Sequence, residues 1–291
     1  MYWVLSLIFS IISLVPTRLL DKLSYPIAGL VWRLSPTKRN STLKNLQACY
    51  PGMSEANREV LARESMRHYV CNALETGKAW HWSGERLKKQ FVEPVGLEHL
   101  ENARAAGKGV LVLVPHFGAW EFSTQGLAKN NGVLALYKPG GQKEFDARML
   151  AKRLRQGTRM AATNQAGLKK IYRELNQGGI VIQLPDQEPS TGQGKFVPFF
   201  GIPAWTGVLA PRLAQRTGCR VLFAVCRRKS LGHFQMVILA PEEDIYSADM
   251  ERALGALNRG VEECIEVDRA QYLWAYKRFK TRPEGEPRFY S

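Results

Sequence analysis

The chain has 291 residues, enough for one large α/β domain with a sizeable core and some appendages. Its 45% hydrophobic and 23% charged content is that of a globular protein, and the absence of low-complexity tracts and fixed-period repeats sets aside disordered and repeat architectures. A surplus of 41 Lys+Arg over 26 Asp+Glu gives +15, which calls for an anionic partner: nucleic acid, an anionic membrane surface or an acidic protein.

The first segment, MYWVLSLIFSIISLVPT, carries no charge through Thr17. Seventeen helical residues reach roughly 25 Å, slightly short of a hydrocarbon core of about 30 Å. No basic residue precedes the apolar run and no small-residue cleavage site follows it, so a signal peptide does not fit. Arg18, Lys22, Arg33, Lys38, Arg39 and Lys44 follow against one acid, Asp21, which by the positive-inside rule puts the body on the cytoplasmic side of a membrane. Tyr2 and Trp3 stand at the tip, where an interfacial anchor belongs. A second apolar patch, residues 23–34, is broken by Pro26 and is expected to lie in the interface. Residues 1–34 thus read as membrane anchor or interfacial helices, with an ordinary buried N-terminal helix as the alternative.

Residues 35–93 read as the helical N-terminal part of the globular body. A helix opens there on Ser54 as N-cap, with Val60, Leu61, Met66, Tyr69, Val70 and Leu74 on its apolar side. From residue 94 to 291 the texture changes to alternating strands and helices. Strands are expected at 109–115, 133–137, 179–184, 219–226 and 233–239, and helices at 119–130, 143–156, 166–177, 205–217 and 248–268. The fold class is therefore α/β, a mostly parallel central sheet flanked by helices, with an N-terminal membrane-associated helical segment. Ligands of such sheets gather at the carboxyl ends of strands, where His116 and Asp186 both stand.

His116 follows the buried run Val110 to Val114 and Pro115, and Gly118 after it lets backbone approach a ligand closely. Glu121, five positions on, is expected to fold back onto the imidazole, fix its tautomer and leave the other nitrogen free to take a proton. No GxSxG elbow occurs, so the simplest chemistry is direct: His116 deprotonates a substrate hydroxyl that attacks an acyl donor, with no covalent acyl-enzyme. No metal is expected, since HEXXH is absent and no second histidine is near in sequence. His68, His81, His99 and His233 stand alone and read as structural. The five cysteines (Cys49, Cys71, Cys219, Cys226, Cys264) are odd in number and form no CxxC, as suits a reducing compartment.

VPHFGAWE resembles the HX4(D/E) motif of the lysophospholipid acyltransferase superfamily. NLQACYP at 45–51, GLKKIYRELNQGG at 167–179, LPDQEP at 184–189, GKFVPFFGIPA at 194–204 and LWAYKRFKTRPEGEP at 273–287 are similar to one branch, the lipid A biosynthesis late acyltransferases, or lauroyl/myristoyl acyltransferase family. The resemblance runs from about residue 40 to the C-terminus in the right order. It implies His116 as general base with Glu121 as its acidic partner, an acceptor hydroxyl on an acyl chain of a lipid A precursor, and an acyl chain on acyl carrier protein as donor. No cofactor is implied beyond that co-substrate. The family's N-terminal membrane segment agrees with the reading of residues 1–34, and the inner membrane is the implied location.

Charge fits these partners. Residues 138–173 hold ten Lys/Arg and two acids, and residues 212–229 hold six basic residues and no acid, positive faces for an acidic carrier or for phosphates. Arg159 is similar to an arginine the family uses near its site and is expected near the edge of the sheet, beside His116; Asp186 orients it or a substrate group, or caps its loop. Trp120 is a candidate substrate contact or, equally, a core residue. PSTGQGKFVPFFG, rich in Gly and aromatics, suits a mobile wall around a lipid chain. The acidic-Gly-Thr-Arg signature of the glycerol-phosphate branch is absent, which speaks against that acceptor. Two other readings compete: an acyltransferase acting on another glycolipid or hydroxylated lipid, and a non-catalytic membrane protein that binds lipid or carrier. Nucleic acid is not expected, since no recognition motif is present.

Overall fold

Runs of aliphatic residues only four or five long, each followed by a helix, can bury both faces of a strand only inside a parallel sheet. A computed structural model of the chain, describing residues 9–79, 82–127, 132–138, 143–155 and 157–290, has that arrangement. Its helices are α1 (Thr17–Leu34), α2 (Pro36–Cys49), α3 (Glu55–Ala79), α4 (Gly84–Lys88), α5 (Leu97–Ala105), α6 (Ser123–Leu127), α7 (Lys143–Arg155), α8 (Gln165–Asn176), α9 (Leu209–Thr217) and α10 (Met250–Glu266). The strands are β1 (Val110–Leu113), β2 (Val133–Tyr137), β3 (Thr158–Ala162), β4 (Ile180–Gln183), β5 (Gly194–Phe199), β6 (Ile202–Gly207), β7 (Arg220–Ser230) and β8 (His233–Leu239).

The main sheet has the order β3-β2-β4-β1-β7-β8, parallel except for antiparallel β8 at one edge. Strand β1 is therefore central, flanked by β4 and β7, and all four of its side chains are buried. Alternation along the strands divides the core. Leu111, Leu113, Val181, Val221 and Phe223 face one layer, packed on α8, α9 and α10; Val110, Val112, Ile180, Ile182 and Leu222 face the other. Helix α8 shows how the sequence arranges this: Asn164 caps it by accepting from Gly167 N at 2.9 Å, and Leu168, Ile171, Tyr172 and Leu175 recur at helical spacing toward the sheet.

Several expectations are corrected. Helix 119–130 is instead a 3-10 turn (Trp120–Phe122) and the short α6; residues 128–131 lie outside the described ones. Strand β3 was not foreseen, because TRMAA alternates too weakly to show. The glycine- and aromatic-rich loop is largely the β5–β6 hairpin, which also takes in 205–207, expected as helix. Its two turn residues, Phe200 and Gly201, both have positive φ (47° and 76°), the left-handed pair whose twist matches that of hairpin strands. Val60 is exposed rather than packed, although Ser54 does cap its helix, accepting from Asn57 N at 3.3 Å.

Pro26 does not break the apolar patch: α1 runs through it and packs Leu20, Ala28 and Trp32 inward, the first two against Val70, Cys71 and Leu74 of α3. Residues 9–14 are helical. Among the described residues no helix is long and apolar enough to cross a membrane. Tyr2, Trp3 and His81 lie outside them.

Candidate active site

Strand β1 delivers His116 to the carboxyl edge of the sheet. Beyond Leu113 the backbone stays paired for one more residue, Val114 N donating to Gln183 O at 2.9 Å, and Pro115 then ends the ladder. The next four residues are wedged between β7 and the segment after α10. Leu273 N donates to His116 O at 3.0 Å, Gly118 N to Gln271 O at 2.9 Å, and Ala119 N to Cys226 O at 2.8 Å. Only glycine fits at 118: its φ is +56°, and a Cβ would lie 2.2 Å from the Cys226 carbonyl oxygen.

The acid that meets His116 is Asp186, three residues past the end of β4. Asp186 Oδ1 lies 2.8 Å from His116 Nδ1, and Oδ2 accepts the His116 backbone N–H at 3.0 Å. Both carboxylate oxygens are thus used on one residue, fixing ring and backbone together. Burial alone would raise the Asp186 pKa, but the His116 imidazole and the hydrogen bonds it donates outweigh that and hold the carboxyl below its usual range. An ionised Asp186 requires the proton on Nδ1, leaving the lone pair on Nε2. Nε2 is met by the Gln187 carboxamide nitrogen at 3.2 Å, and the Trp120 ring sits 5.2 Å from the imidazole, centroid to centroid.

The expected Glu121–His116 contact is not made. Glu121 instead forms a bidentate pair with Arg153 of α7, both bonds at 2.8 Å and both side chains mostly buried. Arg159 is at the sheet edge, as expected, but not beside His116. It lies in β3 and pairs with Glu174 of α8 at 2.8 and 2.5 Å. Strand register places it three strands laterally and five residues lengthwise from His116, roughly 20 Å away at about 4.8 Å per strand and 3.3 Å per residue. Asp186 therefore orients His116 and not Arg159.

Behind the His116 turn is a buried polar cluster that no sequence motif marks. Arg228, at the far end of β7, is 2% exposed at its side chain and pairs with Glu75 of α3, 1% exposed. Its guanidinium donates to Glu75 at 2.8 and 2.5 Å, to His68 Nδ1 at 2.8 Å, to Asn72 Oδ1 at 3.0 Å and to the Gly118 carbonyl at 3.1 Å. Burial, then the charges of Arg228 and Arg67, push the His68 pKa down to about 2, so its imidazole stays neutral and accepts. Arg153, Gln187 and this cluster were not singled out in the sequence. Gln187 alone had a signal, its place beside Asp186 at the end of a buried strand.

Three groups thus converge on one ring: a carboxylate on Nδ1, an amide on Nε2 and an aromatic ring alongside. Such a histidine can take a proton at Nε2 and have the resulting imidazolium stabilised at Nδ1. Cys264 and Tyr272, both buried with Asp186 among the charges acting on them, have their pKa values pushed up, mainly by burial, so neither supplies an ionised nucleophile.

A family model described as bacterial lipid A biosynthesis acyltransferase matches residues 1–281. The chain is 29% identical to the lipid A biosynthesis lauroyltransferase of Escherichia coli (strain K12), over 99% of this chain and 95% of that one. It is 30% identical to the lipid A biosynthesis palmitoleoyltransferase of the same organism, over 85% and 80% of the two chains. With its lipid A biosynthesis myristoyltransferase it shares 29% identity over 94% and 85%.

Proposed function

The chain belongs to the bacterial lipid A biosynthesis acyltransferase family and is an O-acyltransferase, and on that footing we propose that it moves a fatty acyl chain from acyl carrier protein to a hydroxyl on an acyl chain of a lipid A precursor. The observation that carries the mechanism is the His116 ring past the end of β1, with Nδ1 bound to buried Asp186 and Nε2 facing the Gln187 amide. Nε2 takes the hydroxyl proton as the oxygen attacks the thioester carbonyl. The tetrahedral intermediate expels the carrier thiolate, which recovers the proton from the imidazolium. No residue is acylated. A positioned base contributes about 10² to 10⁴ in rate, and holding hydroxyl and thioester together supplies much of the rest.

Membrane attachment is part of the same reading. Leu19, Leu23, Leu30 and Leu34 are exposed and, with exposed Pro26, fall within about 80° of one another around α1 at 100° per residue. Exposed Arg18, Lys22 and Arg33 lie on the adjacent sector, and the buried face against α3 is on the other side. An apolar stripe beside a cationic one suits a helix lying in the headgroup region of an anionic leaflet. On this reading the catalytic body sits on the cytoplasmic side of the inner membrane, the side on which the basic residues after the N-terminal apolar segment also belong.

The test is mass spectrometry of lipid A from a host without its own late acyltransferases, carrying either the wild-type chain or His116→Ala. Wild type is expected to add one acyl chain, whose mass names the donor, and the variant, at equal abundance, none. A wild type that adds nothing refutes the acceptor; an active variant refutes the base.

A further inference from the structure

Gln187 occupies the one nitrogen of His116 that the reaction needs. Asp186 holds the proton on Nδ1, so the Nε2 lone pair receives the Gln187 carboxamide N–H at 3.2 Å. An acceptor hydroxyl must donate to that lone pair, and must therefore displace the amide. The chain on both sides of Gln187 is fixed. Asp186 is bound to His116, Glu188 N donates to Tyr276 Oη at 2.8 Å, and the Glu188 carboxylate accepts Thr281 N and Oγ1 at 2.9 and 2.8 Å. The backbone cannot carry the amide away, so the side chain alone swings, about its own χ angles.

We propose that Gln187 caps the proton-accepting nitrogen of His116 until the acceptor arrives, protecting the bound acyl donor from hydrolysis. The inference rests on the general-base reading above. It identifies the hazard that this chemistry carries: a base able to activate a hydroxyl also activates water. In that side reaction, water gives a proton to Nε2 as its oxygen bonds the thioester carbon. The C–S bond then breaks, and the thiolate takes the proton back, leaving free fatty acid and carrier thiol. Water has only its own hydrogen bonds with which to displace Gln187. The lipid acceptor has in addition the binding energy of its distant groups, which can be used to open the cap.

The experiment uses the full-length protein in detergent with lauroyl, myristoyl or palmitoyl thioesters of acyl carrier protein. Free fatty acid is measured without acceptor, and transfer is measured with a lipid A precursor present. Gln187→Met keeps the side-chain length and removes the amide; Gln187→Ala removes it with the volume. Both are expected to raise the ratio of hydrolysis to transfer at least fivefold, the factor that about 1 kcal/mol of lost hydrogen bond represents. A misfolded fraction cancels from that ratio. A residue that merely supports the loop would lower both rates together and leave the ratio unchanged, which would overturn the proposal. So would hydrolysis by the variants, per mole of folded protein, at or below the wild-type rate, or faster hydrolysis that survives adding His116→Ala. Absence of transfer by wild type would count against the acceptor reading alone, since the hydrolysis arm contains no acceptor and still reads the cap.

Discussion

Asp186→Asn separates the two carboxylates that compete for His116. Asp186 uses Oδ1 on the ring and Oδ2 on the His116 backbone N–H, at 2.8 and 3.0 Å. Asparagine has one oxygen for two donors. With the oxygen on the backbone, the amide N–H₂ faces Nδ1, the ring proton moves to Nε2 and the base is blocked. With the oxygen on Nδ1, the amide opposes the backbone N–H and the negative charge that stabilises the imidazolium is gone. Either arrangement removes most of what a positioned base supplies, so the transfer rate is expected to fall about 10³-fold to 10⁴-fold, roughly 4 to 5.5 kcal/mol of barrier. Initial rates of acyl transfer measure it, with the melting temperature as a check that the variant is folded. If Asp186→Asn stays within tenfold of wild type while Glu121→Gln loses about 10³, the carboxylate nearer in sequence orients the base and the geometry described above is wrong.

Glu121 and Arg153 are expected to act as one unit: a double-mutant cycle of Glu121→Gln and Arg153→Gln on kcat/KM should show coupling of about 1 to 2 kcal/mol, from two charge-assisted bonds in a mostly buried place. Coupling within measurement error would refute the pairing. Glu75→Ala strands the Arg228 guanidinium inside the protein, at a cost of about 3 to 5 kcal/mol. Its melting temperature should drop by roughly 10 °C at 2 to 4 °C per kcal/mol, and a shift within 2 °C would contradict it. His68 has a folded pKa far below its usual value, so its contribution is complete above about pH 6.5 and is lost as pH falls toward the folded value of about 2. Between pH 7.5 and 5.5 that amounts to about 1.4 kcal/mol of unfolding free energy, which denaturant titrations of wild type should show and His68→Gln should lack. Equal pH sensitivity in the two proteins would dismiss the idea.

Much of the fold is written locally. VLVL, VLALY and IVIQ are apolar on both faces, which already demands helices above and below them, and the helix 165–176 shows its facing residues at 3.6-residue spacing. Elements that depend on partners for their definition are less legible. TRMAA becomes β3 because β2 offers an edge to it, and GKFVPF with IPAWTG becomes a hairpin through a left-handed turn at Phe200, a residue that seldom adopts that conformation. The 3-10 turn after Ala119 replaces an expected helix because Gly118 and Ala119 are bound to Gln271 and Cys226, contacts more than a hundred residues away.

The sequence by itself determined that a histidine leaves a central buried strand at the carboxyl edge of a parallel sheet, and that an acid ends a second such strand. Burial and periodicity are local properties, carried by side chains a few positions apart, and they are enough for that much. Which acid would reach the imidazole was decided only when β4 settled beside β1, placing Asp186 at 2.8 Å across 70 residues of sequence while Glu121, five residues away, turned to Arg153. A hydrogen bond has a reach of about 3 Å, and strand order, not sequence separation, sets who comes within it.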